Sequence, residues 1–203
     1  MRPIAGLCLL VLLLLPAAPT AARRGGEDAA ASTAGMLLVA EERLSDPNFD
    51  RTVVLMVHHD AEGAMGLVVN RRYGKAPVAE LLRQLGREPG AAAGEIDVYY
   101  GGPVEPQVGF MLHGPGYATP ATREVTGGLS MTGDPEAVAA FATGRLPGPA
   151  KLVLGYAGWG PGQLESELAR HDWLVVPADA SLVLSGEVDE VWQQAFARRG
   201  IEL

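Results

Sequence analysis

The sequence predicts an α+β fold built around a mixed β-sheet. Short apolar runs rich in β-branched residues, which are typical of strands, outnumber the segments with helical spacing. The predicted strands and helices do not alternate regularly, as they would in a doubly wound parallel sheet. The 203 residues are 48% hydrophobic and 20% charged, which is the composition of a folded domain rather than of a disordered chain.

The first part of the predicted domain contains three strands and one helix. Residues 36–40 and 52–58 are apolar runs that indicate buried strands. Residues 65–70 form the returning strand of a hairpin whose turn is residues 60–63. A helix is predicted over residues 77–85, because four apolar residues form one stripe at helical spacing. They are Val78, Leu81, Leu82 and Leu85.

The middle of the chain predicts three further strands and a well-capped helix. Residues 96–100 and 108–113 are typical of strands, and residues 117–126 contain an irregular loop and an edge strand. The segment Asp134-Pro135-Glu136 predicts the start of a helix: Asp caps it, Pro fits its first turn, and Glu faces the positive end of the helix dipole. This helix is expected to stop at Gly144.

The last part of the chain predicts two strands and two helices. The strands are residues 151–156 and 173–176, and a helix is predicted over residues 163–170. Residues 187–198 give the clearest helical pattern, because their apolar positions recur at i, i+3, i+4, i+7 and i+8. Gly200 is predicted to end that helix.

The N-terminus has the layout of a cleavable secretory signal peptide, which we assign to residues 1–22. Arg2 gives a basic start, and residues 4–15 are almost purely apolar. Thr20 and Ala22 are small residues that fit the −3 and −1 positions of a cleavage site after Ala22. We therefore expect a secreted or periplasmic protein. The alternative is a start codon placed too far upstream, with the protein remaining in the cytoplasm.

The expected mature chain consists of a flexible lead-in, residues 23–34, followed by one folded domain, residues 35–203. The apolar run of the leader is shorter than the roughly 20 residues needed to cross a bilayer, and no later run approaches that length. We therefore expect no membrane span after cleavage. Cys8, the single cysteine, lies in the leader, so the mature chain has no thiol for a disulfide or a thiolate zinc site.

The charge of the chain argues against nucleic acid as a partner. Lys and Arg number 16 and Asp and Glu number 24, which gives a net charge of −8. A protein with this charge repels phosphate backbones. The only basic pair near a predicted strand, Arg71-Arg72, does not form a nucleic-acid-binding stripe. The expected partner is an unknown protein or a small-molecule ligand.

Catalytic chemistry has few candidates in the sequence. His59 and His113 both end apolar strands, and strand ends gather at the rim of a sheet. If the two side chains meet, they form a metal or acid/base site with Asp60, and a hydrolase would use them with Asp60 or Asn70. The alternative is that both histidines are satisfied by structural hydrogen bonds. No G-x-S-x-G nucleophile motif is present, and no cofactor or metal is expected.

A glycine-rich segment, residues 155–162, lies between a predicted strand and a predicted helix, where phosphate-binding loops occur. It has neither the Walker pattern nor G-x-G-x-x-G spacing. Glu165 and Glu167 in the following helix would also repel a phosphate. A tight turn that lets Trp159 pack is the favoured interpretation, and an anion site is the alternative.

Several segments together resemble the YqgE/AlgH family over almost the whole mature chain. They are residues 35–40, 44–55, 59 with 63–71, 101–104 with 109–113, and 154–165 with Trp173. The resemblance implies a split sheet that curls into a pseudo-barrel with flanking helices. It implies no established enzyme activity, although the family carries a transcriptional-regulator label. The leader is a departure, because family members usually look leaderless and cytosolic.

The resemblance also directs attention to recurring polar positions and to the glycine-rich motifs, which are expected to line a shared cleft. The ligand-binding candidates are Asp46, Arg51, Gly101, Gly102, Trp159, Gln163 and Glu165. Our first hypothesis is an exported, non-catalytic binding or regulatory module. One alternative is a hydrolase that uses His59 and His113, and the other is a transcriptional regulator, as the family label says.

Overall fold

The computed structural model describes residues 32–185 and 188–199, and within them the chain forms ten strands and five helices. The strands are β1 (Met36–Ala40), β2 (Val53–Asp60), β3 (Gly63–Val68), β4 (Arg72–Pro77), β5 (Glu95–Tyr100), β6 (Val104–His113), β7 (Thr122–Thr126), β8 (Leu129–Thr132), β9 (Ala150–Trp159) and β10 (Trp173–Pro177). The helices are α1 (Val78–Gln84), α2 (Pro135–Ala142), α3 (Gln163–Ala169), α4 (Ala180–Ser185) and α5 (Val188–Phe196).

All ten strands belong to one branched sheet that is organised by β9. Its main path runs β10-β1-β2-β3-β9-β6-β8-β7, and β4 and β5 form a branch that joins β9. β9 pairs with three strands: β6, β3 and β5. The β5–β9 pairing is parallel, whereas the other pairings of the described strands are antiparallel. The predicted α+β fold with a mixed sheet is therefore confirmed.

The branch point of the sheet is a close approach between two glycine-containing segments. Gly101 donates its N–H to the carbonyl oxygen of Leu154 at 2.7 Å. A Cβ atom at Gly101 would lie 2.2 Å from the carbonyl oxygen of Gly155, and one at Gly102 would lie 2.2 Å from backbone atoms of Tyr156. Gly102 also has a φ of +151°, which side chains disfavour. The site therefore requires two glycines in succession.

Alternation of side chains along the strands divides the apolar residues between the inside and the outside of a curled sheet. In β1, Leu37 and Val39 contact the inner cluster that α4 and α5 cover, whereas Leu38 packs on the outer face with α3. The curl brings β7 back towards the start of β1, since a Cβ atom at Gly35 would lie 3.1 Å from the carbonyl oxygen of Val125. The predicted curled, pseudo-barrel sheet with flanking helices is confirmed.

Two helices cover the outer face of the β5–β9–β6 region. α2 packs its alanines and Val138 on Val98, Met111 and Leu152. Its start agrees with the sequence prediction, because the Asp134 side chain accepts a hydrogen bond from the backbone N–H of Glu136. α1 lies beside α2 and buries the residues Val78 and Leu82 of its apolar stripe. Among the described helices, none is both long and apolar enough to cross a membrane.

Several elements differ from the prediction. β4, β8 and α4 have no sequence prediction: β4 is largely exposed and contains glycine, β8 has four residues and α4 has six. β9 continues through the predicted glycine bend to Trp159, because Gly158 pairs with Met65 of β3. The returning strand of the hairpin is 63–68 rather than 65–70, because the turn before it is tight.

Some predictions concern residues outside the described parts of the chain. These are the signal peptide and its cleavage site after Ala22, most of the lead-in, and the limits of the last helix at Glu187 and Gly200. The last lead-in residues are described. Thr33 is only 5% exposed and contacts the sheet through His59, so the folded part of the chain includes it.

The branch point gives a direct prediction for stability. We expect Gly101→Ala to lower the free energy of unfolding by about 3 kcal/mol or more, because the new methyl group would overlap a backbone carbonyl that the sheet holds in place. Gly74→Ala is the matched control, since a Cβ atom there meets no other atom within 4 Å. Urea denaturation measures both variants. Equal stabilities would contradict the close-approach interpretation.

Candidate functional site

His59 lies near the end of β2 and holds two distant parts of the chain. The Thr33 backbone N–H donates to its Nδ1 at 3.1 Å, and the Thr33 hydroxyl lies 3.0 Å from the same atom. Because an amide N–H can only donate, Nδ1 is unprotonated, and the Nε2–H donates to the Glu165 carboxylate at 2.9 Å. The side chain thus fastens residues 32–33 and α3 to the sheet.

Glu165 completes a row of hydroxyl, imidazole and carboxylate groups. Its pKa is lowered, first by a hydrogen bond from its own backbone N–H and then by the bond from His59. Thr33 is only 5% exposed, and its hydroxyl shares Nδ1 with its own backbone N–H. A nucleophile must be reachable by a substrate carbonyl, so this row does not meet the geometry of acyl transfer.

His113 is fully buried in a separate network at the end of β6. Its Nδ1 lies 2.8 Å from the Gly114 carbonyl oxygen, so this nitrogen carries the proton and donates it. Its Nε2 then accepts from the Thr132 hydroxyl at 2.9 Å. The Thr122 hydroxyl donates to Thr132 at 2.7 Å and itself accepts the Thr119 N–H, so each group in the chain is satisfied.

The two histidines lie at opposite ends of the sheet, and the predicted joint site is therefore wrong. His59 pairs with Ala64 of β3, which pairs with Trp159 at one end of β9. His113 pairs with Ala150 at the other end. Nine residue steps, from 150 to 159, separate the ends by about 30 Å at about 3.3 Å per residue. Asp60, the proposed third member, pairs instead with the neighbouring His58.

Asn70 and Arg51 have structural contacts with each other. The Asn70 side-chain oxygen accepts the Val53 N–H at 2.8 Å, and its amide group donates to the Arg51 carbonyl oxygen at 2.9 Å. Arg51 has a positive φ of 49°, and its guanidinium lies over the Trp192 ring at 5.4 Å from the centroid. The Asn70 amide therefore satisfies backbone groups at the start of β2 and does not reach either histidine.

The glycine-rich segment after β9 is a turn that an extended hydrogen-bond network holds. Trp159 and Trp173 both donate their indole N–H to one oxygen of Glu167, each at 2.8 Å. Gln163 donates to the other oxygen at 3.0 Å and accepts the Gly160 N–H at 3.1 Å. This agrees with the favoured interpretation, in which the segment is a turn that packs Trp159.

The remaining ligand-binding candidates do not gather around one cleft with these residues. Asp46 accepts the Asn48 N–H at 2.8 Å and so shapes its own turn. Gly101 and Gly102 are enclosed by the backbone of β9 at the branch point. The predicted shared cleft of the glycine-rich motifs is therefore wrong: their glycines allow close backbone packing, and the polar side chains hold loops.

The structure instead contains a cleft of about 490 Å³ between α1, α2 and the outer face of the sheet, which we call the α1/α2 cleft. Its apolar walls include Ala76, Leu81, Leu85, Val98, Gly109, Val138, Leu152 and Leu154. Its polar lining groups are Glu80, Gln84, Gln107 and Asp134. In the sequence, the feature that could have indicated this cleft is the apolar stripe of the predicted helix 77–85. α1 buries two residues of that stripe, and the other two, Leu81 and Leu85, line the cleft.

Lys151 is a buried cation, with 3% of its surface exposed. Its Nζ donates to the Val69 carbonyl oxygen at 3.0 Å and lies 4.7 Å from the centre of the Tyr99 ring. Among the described residues, no carboxylate lies within ion-pair distance of it. Burial, and then the positive charge of Arg72, lower the pKa of Lys151 to about 8.

Comparison with known proteins gives consistent matches over most of the chain. A family model described as AlgH-like (DUF179) matches residues 37–203. A UPF0301 protein of Methylococcus capsulatus is 44% identical over 166 residues, which cover 82% of this chain and 91% of the relative. A UPF0301 protein of Pseudomonas aeruginosa is 42% identical over 168 residues, covering 82% and 88% of the two chains.

Two solved structures share the fold. The solution structure of the AlgH protein from Pseudomonas aeruginosa superposes with a TM-score of 0.72 at 38% sequence identity, and covers 88% of this chain and 94% of that one. The crystal structure of a protein from Corynebacterium diphtheriae gives a TM-score of 0.63 at 26% identity, with 82% and 87% coverage.

The buried lysine predicts an unusual dependence of stability on pH. The unfolded chain holds the Lys151 proton up to a pH of about 10.5, whereas the folded protein releases it at about 8, so stability rises between these values. We expect a gain of about 1–2 kcal/mol between pH 8 and 9.5 that is missing in Lys151→Met. Urea denaturation at both pH values measures it. Parallel pH profiles for the two proteins would contradict this account.

Proposed function

Since this chain belongs to the AlgH-like family, we propose that it is an exported, non-catalytic binding protein that holds a small apolar ligand in the α1/α2 cleft. The observation that supports the proposal is the cleft itself. Its volume of about 490 Å³ falls in the range of small-molecule sites, which have mostly apolar walls and a few polar groups. The walls come from two helices and four strands, so the site lies on rigid elements.

The positions of the chemically active side chains favour binding over catalysis. His59 and His113 hold structural hydrogen bonds at opposite ends of the sheet, and Lys151 is enclosed in the sheet. None of these three groups lines the α1/α2 cleft. A hydrolase that combines the two histidines is therefore not part of the proposal.

We further propose that nucleic acid is not the partner, so the transcriptional-regulator label does not describe direct DNA binding by this chain. The net charge of −8 supports this, because DNA binding relies on phosphate neutralisation by Lys and Arg. The corresponding measurement is retention on DNA at low and high salt. Retention that weakens steeply with salt would contradict this part of the proposal.

The first test fills the cleft. Gly109 lies on its floor, where a Cβ atom would make ordinary contacts with Leu152 and Leu154 at 3.5–3.6 Å. We expect decanol to raise the melting temperature of the wild type, and Gly109→Leu to abolish that rise. Gly74→Leu, the same change at a strand position that does not line the cleft, should respond like the wild type.

A second variant keeps the test valid if Gly109→Leu folds poorly. Gln107 is exposed at the cleft, so Gln107→Trp narrows it without changing the core. Circular dichroism checks the fold of each variant. If decanol fails to stabilise the wild type, or stabilises both cleft variants as strongly as the control, the cleft is not the binding site.

Export has its own test. The layout of residues 1–22 supports cleavage after Ala22, so we expect the protein isolated from its own cells to begin at Arg23. N-terminal sequencing together with cell fractionation measures this. A chain that begins with Met1 and fractionates with the cytoplasm would refute export. That result would not affect the proposal that the cleft binds a ligand.

A further inference from the structure

We infer that the ligand of the α1/α2 cleft is a cationic amphiphile, an aliphatic chain that ends in an amine. The inference rests on the proposed function, which supplies the cleft, and adds the chemistry of the head group. The polar lining consists of two carboxylates, Glu80 and Asp134, and two side-chain amides, Gln84 and Gln107. No Lys, Arg or His is among the lining residues in the described part of the chain.

The arginines near this cleft are engaged by carboxylates. Arg87 and Arg145 both pair with Glu136 on α2, the latter at 3.3 Å. Arg83 pairs with Glu80 at 3.0 Å and partly neutralises it. Asp134 has no such cation: one of its oxygens accepts the N–H of Glu136 as a helix cap, and no described residue donates to the other. Asp134 is therefore the carboxylate best placed to receive an ammonium group.

Asp134 and Glu136 also act on a neighbouring side chain, Tyr117. The pKa of Tyr117 is raised, first by burial and then by the negative charges of Asp134 and Glu136, with Arg145 opposing them. A carboxylate or phosphate head group would be repelled by Asp134, which has no ion-pair partner among the described residues, and a neutral head group would gain no Coulomb energy. An ammonium group gains Coulomb energy, and the aliphatic chain of the ligand packs against the apolar walls, where each buried CH₂ contributes about 0.8 kcal/mol.

The experiment compares decylamine, decanol and decanoate, which share one chain length, by isothermal titration calorimetry below their micelle concentrations. We expect decylamine to bind roughly fivefold more tightly than decanol, which is the size of effect that a partly screened ion pair produces. Decanoate should bind most weakly. Added salt should reduce the difference between the amine and the alcohol.

The matched variants remove charge without removing hydrogen-bonding groups. Glu80→Gln with Asp134→Asn deletes both lining carboxylates, and Asn still caps a helix. This double variant should lose the preference for decylamine over decanol. Glu62→Gln with Glu124→Gln changes the net charge by the same amount at exposed positions outside the cleft, and should keep the wild-type preference.

The outcomes separate the inference from the proposed function. Equal binding of the three ligands to the wild type, or an amine preference that survives in the Glu80→Gln/Asp134→Asn variant, overturns the inference and leaves the apolar cleft as a binding site. Binding of none of the three overturns the proposed function itself.

Discussion

The structure depends on the close approach of two backbone segments at the branch point of the sheet. Gly101 and Gly102 press against β9 where Gly155 turns with a φ of +73°, and at Gly101 and Gly102 a Cβ atom would overlap main-chain atoms. Beyond this point β9 changes partner, from β5 to β3. One strand can therefore belong to both halves of the sheet, and the sheet can curl without an interruption in its hydrogen bonding.

The curl explains why one layer of strands supports four separate apolar clusters. Alternate residues of β1 and β2 face the inner cluster under α4 and α5, and their neighbours face outwards under α3. On the other half of the sheet the outer face carries α1 and α2. Two helices that cover a strongly twisted surface leave a gap between their axes, and the α1/α2 cleft occupies it. The cleft is thus a consequence of the branched sheet.

Local signals in the sequence predict local structure well, and they fail where the answer depends on strand order. Asp134-Pro135-Glu136 predicts the start of α2 because the cap, the proline and the dipole act within one turn. β4 is not predicted because it has no apolar run, and it forms a strand only through its pairing with β5. His59 and His113 both lie near strand ends, as predicted, yet they lie at opposite rims. β2 runs antiparallel to β3, and β9 runs antiparallel to both β3 and β6, so β2 and β6 run in opposite directions. No local pattern encodes that order.

The polar residues that the family resemblance highlights have structural roles in this fold. Asn70, Gln163 and Glu165 satisfy backbone groups or fasten one segment of the chain to another. A polar residue with every hydrogen bond satisfied by its own chain has little left to offer a ligand. The groups that remain available lie where α1 and α2 diverge, and they are apolar side chains with carboxylates beside them. In this fold, the glycine-rich motifs build the scaffold, and the proposed binding surface lies on the helices that cover it.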